Sequence, residues 1–194
     1  KFAADITWND GTVVDGEFVP ADGVTTIYKW EPYAASSGGT TYDFQGSILG
    51  ENHTISGVYI SEAAANVGFI GRFRNKANVK DLTFSNCYVS NTSNRVGMVV
   101  GVFYQTNCLI ENVHLKNCAI FGKYNAGGFV GAPAYSNTKF TFRNCTLDEK
   151  TTVTATTTTN AGSFLGSGFY SGSNAKLEIT DCVSYATVSA TDDT

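Results

Sequence analysis

Five cysteines are the residues of this chain with the most obvious chemistry. Four of them end the repeated strand motif, at Cys87, Cys118, Cys145 and Cys182, and the fifth, Cys108, falls outside this row. Regularly spaced thiols suggest disulfide bonds or a zinc site, but the chain has no Cys-x-x-Cys pair and none of the usual zinc-ligand spacings. Free cysteine commonly behaves as a small buried apolar side chain. We therefore predict four stacked structural thiols, no metal, and a buried or half-buried free thiol at Cys108.

The histidines and carboxylates would support acid–base catalysis only if they converge. Polysaccharide-cleaving enzymes built on β-solenoids need paired acids, or a base beside calcium-holding acids. When the charged residues are placed on the repeat described next, His53 and His114 occupy unlike positions. Asp81 and Asp181 fall in slots that hold asparagine or lysine elsewhere. The sequence therefore predicts no catalytic residue, no cofactor and no enzymatic activity.

The elements that position these residues repeat along the chain. Alternating apolar segments end in Asn-Cys or Asp-Cys, and each is followed by a polar stretch and a glycine-bracketed apolar pair. The closing glycines are Gly71, Gly101, Gly131 and Gly166, so the successive intervals are 30, 30 and 35 residues. Periods of this size indicate stacked supersecondary units, and the alternation is typical of half-buried strands. We predict an all-β parallel solenoid of four to five coils.

Alignment of the repeats predicts which side chains stack. One inward row is Phe84, Leu115, Phe142 and Ile179, and another places Leu147 with Val89 and Ile120. A corner row is predicted to contain Ala63 and the four regularly spaced cysteines. Beside it, side-chain amides are expected to hydrogen-bond along a ladder, a common arrangement at solenoid turns. The ladder consists of Asn86, Asn117 and Asn144, with Asp181 in the last coil.

The fourth coil is longer than the others. Its cysteine and closing glycine, Cys145 and Gly166, are 21 residues apart, whereas the corresponding pair in the preceding coil is 13 residues apart. This difference predicts an insertion of about 7 residues between Leu147 and Asn160. Its alternating threonines suit an extended, exposed ribbon on a recognition face.

Four tyrosines flank the glycine motifs or the loops that follow them. They are Tyr104, Tyr124, Tyr135 and Tyr170. Aromatic rings that are apolar on their faces and polar at one end stack well on sugar rings, so we predict these tyrosines as a glycan-binding set. Ordinary loop packing is the alternative interpretation.

Composition bounds the domain organisation and the partners. Hydrophobic residues make up 42% of the 194 residues, charged residues 15%, and the net charge is -4. These values predict one domain with a substantial core and no nucleic-acid partner, and no apolar run is long enough for membrane insertion. We predict an N-terminal cap and incomplete first turn at residues 1–45, followed by solenoid repeats at 46–194. The last residues stop partway into a coil, which predicts neighbouring domains in a longer chain.

The segment from Phe44 to Ile60 and the repeated Gly-x-Phe-Val-Gly and Asn-Cys motifs carry a family resemblance. They resemble bacterial cell-surface proteins built from GLUG-type repeats. This resemblance implies an exported, right-handed parallel β-helix, either an adhesin-like stalk or an accessory segment of surface peptidases of the immunoglobulin A1 protease type. We therefore expect a noncatalytic extracellular module that presents loops to a host or matrix glycan or protein. The alternatives are a carbohydrate-active β-helix enzyme and a glycan-binding module.

Overall fold

The computed structural model describes residues 1–34, 43–104, 107–134, 139–157, 160–168 and 174–191. These residues form strands, turns and bends, with no helix among them. Parallel strands stack into a β-solenoid of about four turns, which confirms the predicted fold class. The boundary predicted at residue 45 stays a prediction.

The strands follow the coils in order. The N-terminal segment contains β1 (Ile6–Thr7), β2 (Gly11–Val14) and β3 (Glu17–Pro20). The first coil contains β4 (Ser47–Ser56), β5 (Tyr59–Glu62), β6 (Asn66–Val67) and β7 (Ile70–Arg74). The second contains β8 (Asn78–Ser85), β9 (Tyr88–Asn91), β10 (Arg95–Gly97) and β11 (Val100–Tyr104). The third contains β12 (Cys108–Lys116), β13 (Ala119–Gly122), β14 (Asn125–Gly127) and β15 (Val130–Pro133).

The last coils have shorter strands. The fourth contains β16 (Lys139–Arg143), β17 (Thr146–Leu147), β18 (Thr152–Ala155) and β19 (Asn160–Gly162). The fifth contains β20 (Lys176–Thr180), β21 (Val183–Ser184) and β22 (Thr187–Ala190).

Four parallel sheets form the walls of the solenoid. Sheet 1 has the order β1-β4-β8-β12-β16-β20, with β17 pairing to β12 and β21. Sheet 2 is β22-β18-β13-β9-β5, sheet 3 is β19-β14-β10-β6, and sheet 4 is β15-β11-β7. The separate antiparallel pair β2-β3 is a hairpin outside these walls.

The core consists of the inward side chains of all four walls. Phe84, Phe129 and Phe142 are fully buried, and the ring of Phe129 lies 5.7 Å from that of Phe142. Each glycine-bracketed pair spans the corner between sheets 3 and 4, and the second residue of the pair begins the sheet 4 strand in coils one to three. Because the chain turns at this corner, adjacent residues such as Val99 and Val100 are both buried. The predicted glycine rows are confirmed, because Gly97 pairs with Gly127 and Val100 pairs with Val130.

The register of sheet 1 corrects the predicted inward rows. Phe84 pairs with Leu115 as predicted, but Leu115 then pairs with Leu147. Phe142 pairs instead with Ile110 and Ile179. The prediction that Leu147 stacks with Ile120 was also wrong, because Val153 occupies that position.

Two left-handed bends, both present in coils two and three, explain these errors. The first bend holds Asp81, Asn112, Asn144 and Asp181, with φ between 49° and 54°. The second bend holds Gly57, Asn86 and Asn117, with φ between 50° and 69°. Asparagine and aspartate tolerate this conformation because their short polar side chains bond locally. Asn-Cys occurs at the second bend in coils two and three but at the first bend in coil four, so sequence alignment merged two different corners.

The cysteines therefore form two rows rather than one. Tyr88 pairs with Tyr59 on one side and with Ala119 on the other, so the residues that precede these three stack, and Cys87 and Cys118 lie in line with Val58. Cys145 and Cys182 form the second row, in line with Val113, and Ala63 belongs to neither row. None of the five cysteines, all of which lie in the described ranges, forms a disulfide bond. Burial raises the pKa of both Cys108 and Cys145 to about 12, so these thiols stay protonated.

The predicted insertion in coil four is smaller than expected. The offset between paired residues of coils three and four is 32 at Phe140, 33 at Thr152 and 35 at Asn160. Only three residues are therefore inserted, and the remainder of the apparent insertion came from misaligned corners. Thr152 to Ala155 form a regular strand of sheet 2 instead of a projecting ribbon, while Thr158 and Thr159 lie outside the described residues.

Thr151 occupies the corner position that Cys87 and Cys118 occupy in the preceding coils. It is fully buried, and its Oγ1 accepts a hydrogen bond from the Cys118 N–H at 3.2 Å and donates to Asp148 at 2.7 Å. Replacement by valine keeps the shape but leaves a buried N–H without a partner. We expect T151V to lower the free energy of unfolding by about 1–3 kcal/mol. Urea denaturation measures this loss.

Thr151→Cys is the matched control for that prediction. Cysteine makes the same kind of bond in the other cysteine row, where the sulfur of Cys182 accepts a hydrogen bond from the Cys145 N–H at 3.3 Å. We therefore expect T151C to retain more stability than T151V. Equal stability of the two variants would show that the hydrogen bond at this corner contributes nothing.

Candidate functional site: a cleft beside the N-terminal hairpin

The hairpin β2-β3 is built by a two-residue turn. Val14 pairs with Glu17, and the intervening Asp15 and Gly16 have φ of 50° and 83°. Positive φ at both central positions defines a type I′ turn, whose twist matches that of the flanking strands, and Asp-Gly is a preferred sequence for it. The local sequence therefore specifies a rigid hairpin with Asp15 at its tip.

Apolar contacts fix this hairpin to the outer face of sheet 2. Val13 and Phe18 are buried in a cluster with Ala119, against the rings of Tyr59, Tyr88 and Phe121. The Phe18 ring lies 5.9 Å from that of Tyr59, which stacks on Tyr88 at 5.1 Å. Burial raises the pKa of Tyr88. The hairpin thus crosses coils one to three and covers their outward aromatic residues.

Polar contacts join the hairpin to the asparagine corner. Asn117 Nδ2 donates to Thr12 Oγ1 at 3.0 Å, to the Val13 carbonyl at 3.1 Å and to Asn86 Oδ1 at 2.8 Å. Thr12 Oγ1 donates to Asn86 Oδ1 at 3.1 Å. Asn86 and Asn117 are therefore hydrogen-bonded to each other, and both also bind the hairpin. Asn144 lies on the first bend instead, where it donates to Asn112 at 3.0 Å.

A cleft of about 620 Å³ lies where the hairpin ends and the face of sheet 2 continues. One wall is the hairpin from Thr12 to Gly16, and the other is formed by Lys150, Thr152 and Thr154 of coil four. Phe121 lies between the walls, and a Cβ on Gly16 would approach its ring to 2.9 Å. The cleft volume falls within the roughly 300–1,000 Å³ typical of small-molecule sites.

The cleft combines polar groups with an aromatic surface. Asp15 and Lys150 are exposed on opposite walls, and neither makes an ion pair within the described part of the chain. Thr152 Oγ1 is buried and has no hydrogen-bond partner among the described residues. Thr154 Oγ1 lies 3.2 Å from Ser189 Oγ. These groups supply a carboxylate, an ammonium and hydroxyls beside a phenyl ring.

Of the predicted tyrosine set, the structure describes Tyr104 and Tyr124, and these two lie at different corners of the solenoid. Tyr104 ends β11 in sheet 4, where the Arg72 guanidinium lies 4.3 Å from its ring centroid. Tyr124 is exposed between sheets 2 and 3 and lines a second cleft of about 610 Å³ with Lys123 and Asn125. Tyr135 and Tyr170 lie outside the described residues.

The histidines and carboxylates of sheet 1 are engaged in separate contacts. His53 Nδ1 lies 3.1 Å from Asp5, whereas His114 Nδ1 lies 2.8 Å from Thr146 Oγ1. Glu111 forms ion pairs with Lys80 and Arg143, each at 2.8 Å. The hydrogen bond from Lys80, and to a smaller extent that from Arg143, holds the pKa of the Glu111 carboxyl below its usual value. Glu111 is therefore ionised at neutral pH. Over the described ranges, His, Cys, Asp and Glu side chains form no group that would hold a metal ion.

His114 gives the solenoid a weak dependence on pH. Burial, and secondarily Lys116, lowers the pKa of this imidazole, so folding favours its neutral form. The resulting stability is complete above the unfolded pKa of about 6.5 and is lost as the pH falls toward the folded value. Because the ring is only half-buried, we expect the melting temperature of the wild type to fall by about 1 °C more than that of H114Q between pH 7.5 and 5.5. Identical shifts in calorimetry would contradict this.

Comparisons with known proteins bear on the fold. The chain matches no protein-family model and no curated protein. A solved structure, described as that of "a putative immunoglobulin A1 protease from Bacteroides ovatus", aligns with 97% of this chain at a TM-score of 0.59 and 17% sequence identity. The two proteins share a fold. This chain spans 59% of the length of that protein. The GLUG-type resemblance, the surface location and the bacterial origin stay predictions.

Sequence reasoning missed the hairpin and its cleft. The Asp15-Gly16 signal was available, because this dipeptide lies between two short apolar segments. The position of the hairpin on the solenoid could not be predicted from the sequence, since it depends on contacts between residues about 105 positions apart, such as Thr12 and Asn117.

No helix long and apolar enough to cross a bilayer occurs in the part of the chain that the structure describes.

Proposed function

We propose that this chain is a noncatalytic, adhesin-like β-solenoid that presents a ligand-binding cleft outside the bacterial cell. The observation that carries the proposal is the cleft itself, whose walls are a hairpin fixed to three coils and a regular strand of sheet 2. A rigid site loses little conformational entropy when a ligand binds. The solenoid supplies that rigidity, because strands of adjacent coils pair in each wall.

The surface chemistry supports binding over catalysis. Cleavage by an acid–base pair needs one carboxyl group held protonated beside another that is ionised. On the outer face of sheet 1, Glu111 and Glu178 instead pair with lysine or arginine, and these contacts lower the pKa of both carboxyls. These ion pairs link adjacent coils of the solenoid. The name of the similar Bacteroides protein suggests that the module accompanies a peptidase in a longer protein.

Retention without cleavage is the test of this proposal. The purified chain is passed over immobilised mucin, fibronectin and immunoglobulin A1, and bound protein, new amino termini and new reducing sugar ends are measured. We expect retention on at least one surface with no cleavage product. Cleavage of any of the three, or retention on none, would contradict a noncatalytic binding module.

A matched pair of hairpin variants assigns that retention to the cleft. Val14 and Val19 are 48% and 44% exposed on the two strands of the hairpin, but only Val14 lines the cleft. We expect V14K to lower retention at least tenfold and V19K to leave it unchanged. Equal effects of the two substitutions would place binding elsewhere.

A further inference from the structure

We infer that the cleft between Asp15 and Lys150 binds a neutral saccharide. This inference rests on the proposed binding function and specifies its site and ligand class. It places a sugar contact at a site built by the hairpin and coil four, on the outer face of sheet 2.

The lining of the cleft matches the two surfaces of a pyranose ring. Phe121 and the exposed Val14 supply apolar contacts for the C–H face of a sugar. The Asp15 carboxylate accepts hydrogen bonds from hydroxyls, and the Lys150 ammonium donates to hydroxyl or ring oxygens. Charge-assisted hydrogen bonds of this kind are stronger than bonds between neutral groups. The site therefore provides both stacking and directional polar contacts.

Two polar groups of the cleft have unused hydrogen-bonding capacity. Thr152 Oγ1 has no partner, and the amide of Asn117 donates three bonds while no bond to its Oδ1 is found among the described residues. Buried polar groups are normally paired, so the orphan hydroxyl needs a partner. A ligand hydroxyl at the Thr152 wall would supply one when the threonine side chain rotates.

The charge balance of the cleft favours an uncharged ligand. One carboxylate and one ammonium line it, both without ion-pair partners over the described ranges. An acidic sugar would gain from Lys150 but would be repelled by Asp15. A neutral saccharide uses both groups as hydrogen-bonding partners. Its affinity should also be nearly independent of salt, because no net charge is neutralised on binding.

A peptide strand is a less suitable occupant. Strand addition uses the free edge of a sheet, here the outer edge of β2. The Val13 carbonyl on that edge already accepts a hydrogen bond from Asn117 at 3.1 Å. The edge is also only four residues long, from Gly11 to Val14. Few main-chain bonds would remain for a peptide.

The test is an array of neutral oligosaccharides of glucose, galactose, mannose and N-acetylhexosamines, with sialylated and uronic-acid-containing oligosaccharides beside them. We expect the wild type to bind at least one neutral oligosaccharide, with equal signal at 50 and 500 mM NaCl. Titration calorimetry with that oligosaccharide then compares variants. D15N and T152V should each weaken binding about tenfold. D22N and T187V are the controls, since Asp22 lies outside the cleft and Thr187 pairs with Thr152 one coil further along.

The outcomes separate this inference from the proposed function. No neutral binding on the array, or binding that D15N and T152V leave unchanged, would overturn the saccharide site. If mucin retention survives enzymatic deglycosylation, the ligand is polypeptide and the saccharide inference fails while the binding function stands. If neither mucin nor any glycan is bound and no other surface retains the chain, both proposals fail. A stronger signal from acidic sugars that weakens in salt would contradict the neutral assignment.

Discussion

Replacement of Gly101 by alanine is expected to destabilise the solenoid by about 3 kcal/mol or more. A Cβ at this position would lie 2.4 Å from the Val67 nitrogen and 2.7 Å from the Asn66 carbonyl carbon. Both atoms belong to the backbone of the preceding coil, so a side-chain rotation cannot relieve the clash. The two coils must move apart, which lengthens the hydrogen bonds of adjacent walls. Urea denaturation followed by circular dichroism measures the loss.

Gly168→Ala is the matched control for this substitution. A Cβ on Gly168 would have no atom of the described residues within 4 Å. The same chemical change at that position should therefore alter stability by less than about 0.5 kcal/mol. If G101A were as stable as G168A, the close approach of coils at the glycine corners would be refuted.

Phe142→Ala is expected to cost about 3–5 kcal/mol, the usual cost of removing a fully buried phenyl ring. Phe142 has no solvent exposure, and its ring centroid lies 4.8 Å from that of Phe140 and 5.4 Å from that of Phe164. Alanine would leave a cavity among rings from two walls, and ladders on both sides of coil four limit its collapse. For a chain of this length, the melting temperature should fall by about 10 °C or more.

Tyr185→Ala controls for the loss of an aromatic residue. Tyr185 is 70% exposed, so its removal creates no cavity and should change the melting temperature little. If the melting temperatures of F142A and Y185A fell by amounts that differ by no more than about 2 °C, the assignment of Phe142 to the core would be contradicted.

The period of the sequence predicts the architecture because each coil repeats the same physical requirements. Close vertical stacking excludes a Cβ at corners such as Gly101 and Gly131, so glycine recurs there at a fixed interval. Strand alternation predicts that Phe84 and Leu115 face inward, and both are buried. Local sequence was therefore sufficient for fold class and for much of the core.

The register of the later coils was not predictable from the same reasoning. In coil three both bends have positive φ, and asparagine occupies each of them, at Asn112 and at Asn117. The four-residue sequence Arg143-Asn-Cys-Thr146 thus looks like the corner at Asn117 although it stacks on Asn112. Only the pairing of whole coils decides between the two, through contacts such as Asp148 to the Asn117 N–H at 3.0 Å.

The candidate site was the least predictable feature. Its walls come from residues near position 15 and near position 152, which the coil winding brings together. The predicted tyrosines were chosen for chemistry alone, and Tyr104 and Tyr124 lie at different corners of the solenoid. Position in the coil, rather than residue type, determines which side chains converge.

The register of coil four is tested most directly by backbone amide contacts in a nuclear Overhauser spectrum of the labelled protein. The stacking described here predicts cross-coil contacts of Phe142 with Ile110 and of Thr146 with His114. Contacts of Phe142 with Leu115, or contacts only between neighbours in sequence, would contradict this solenoid.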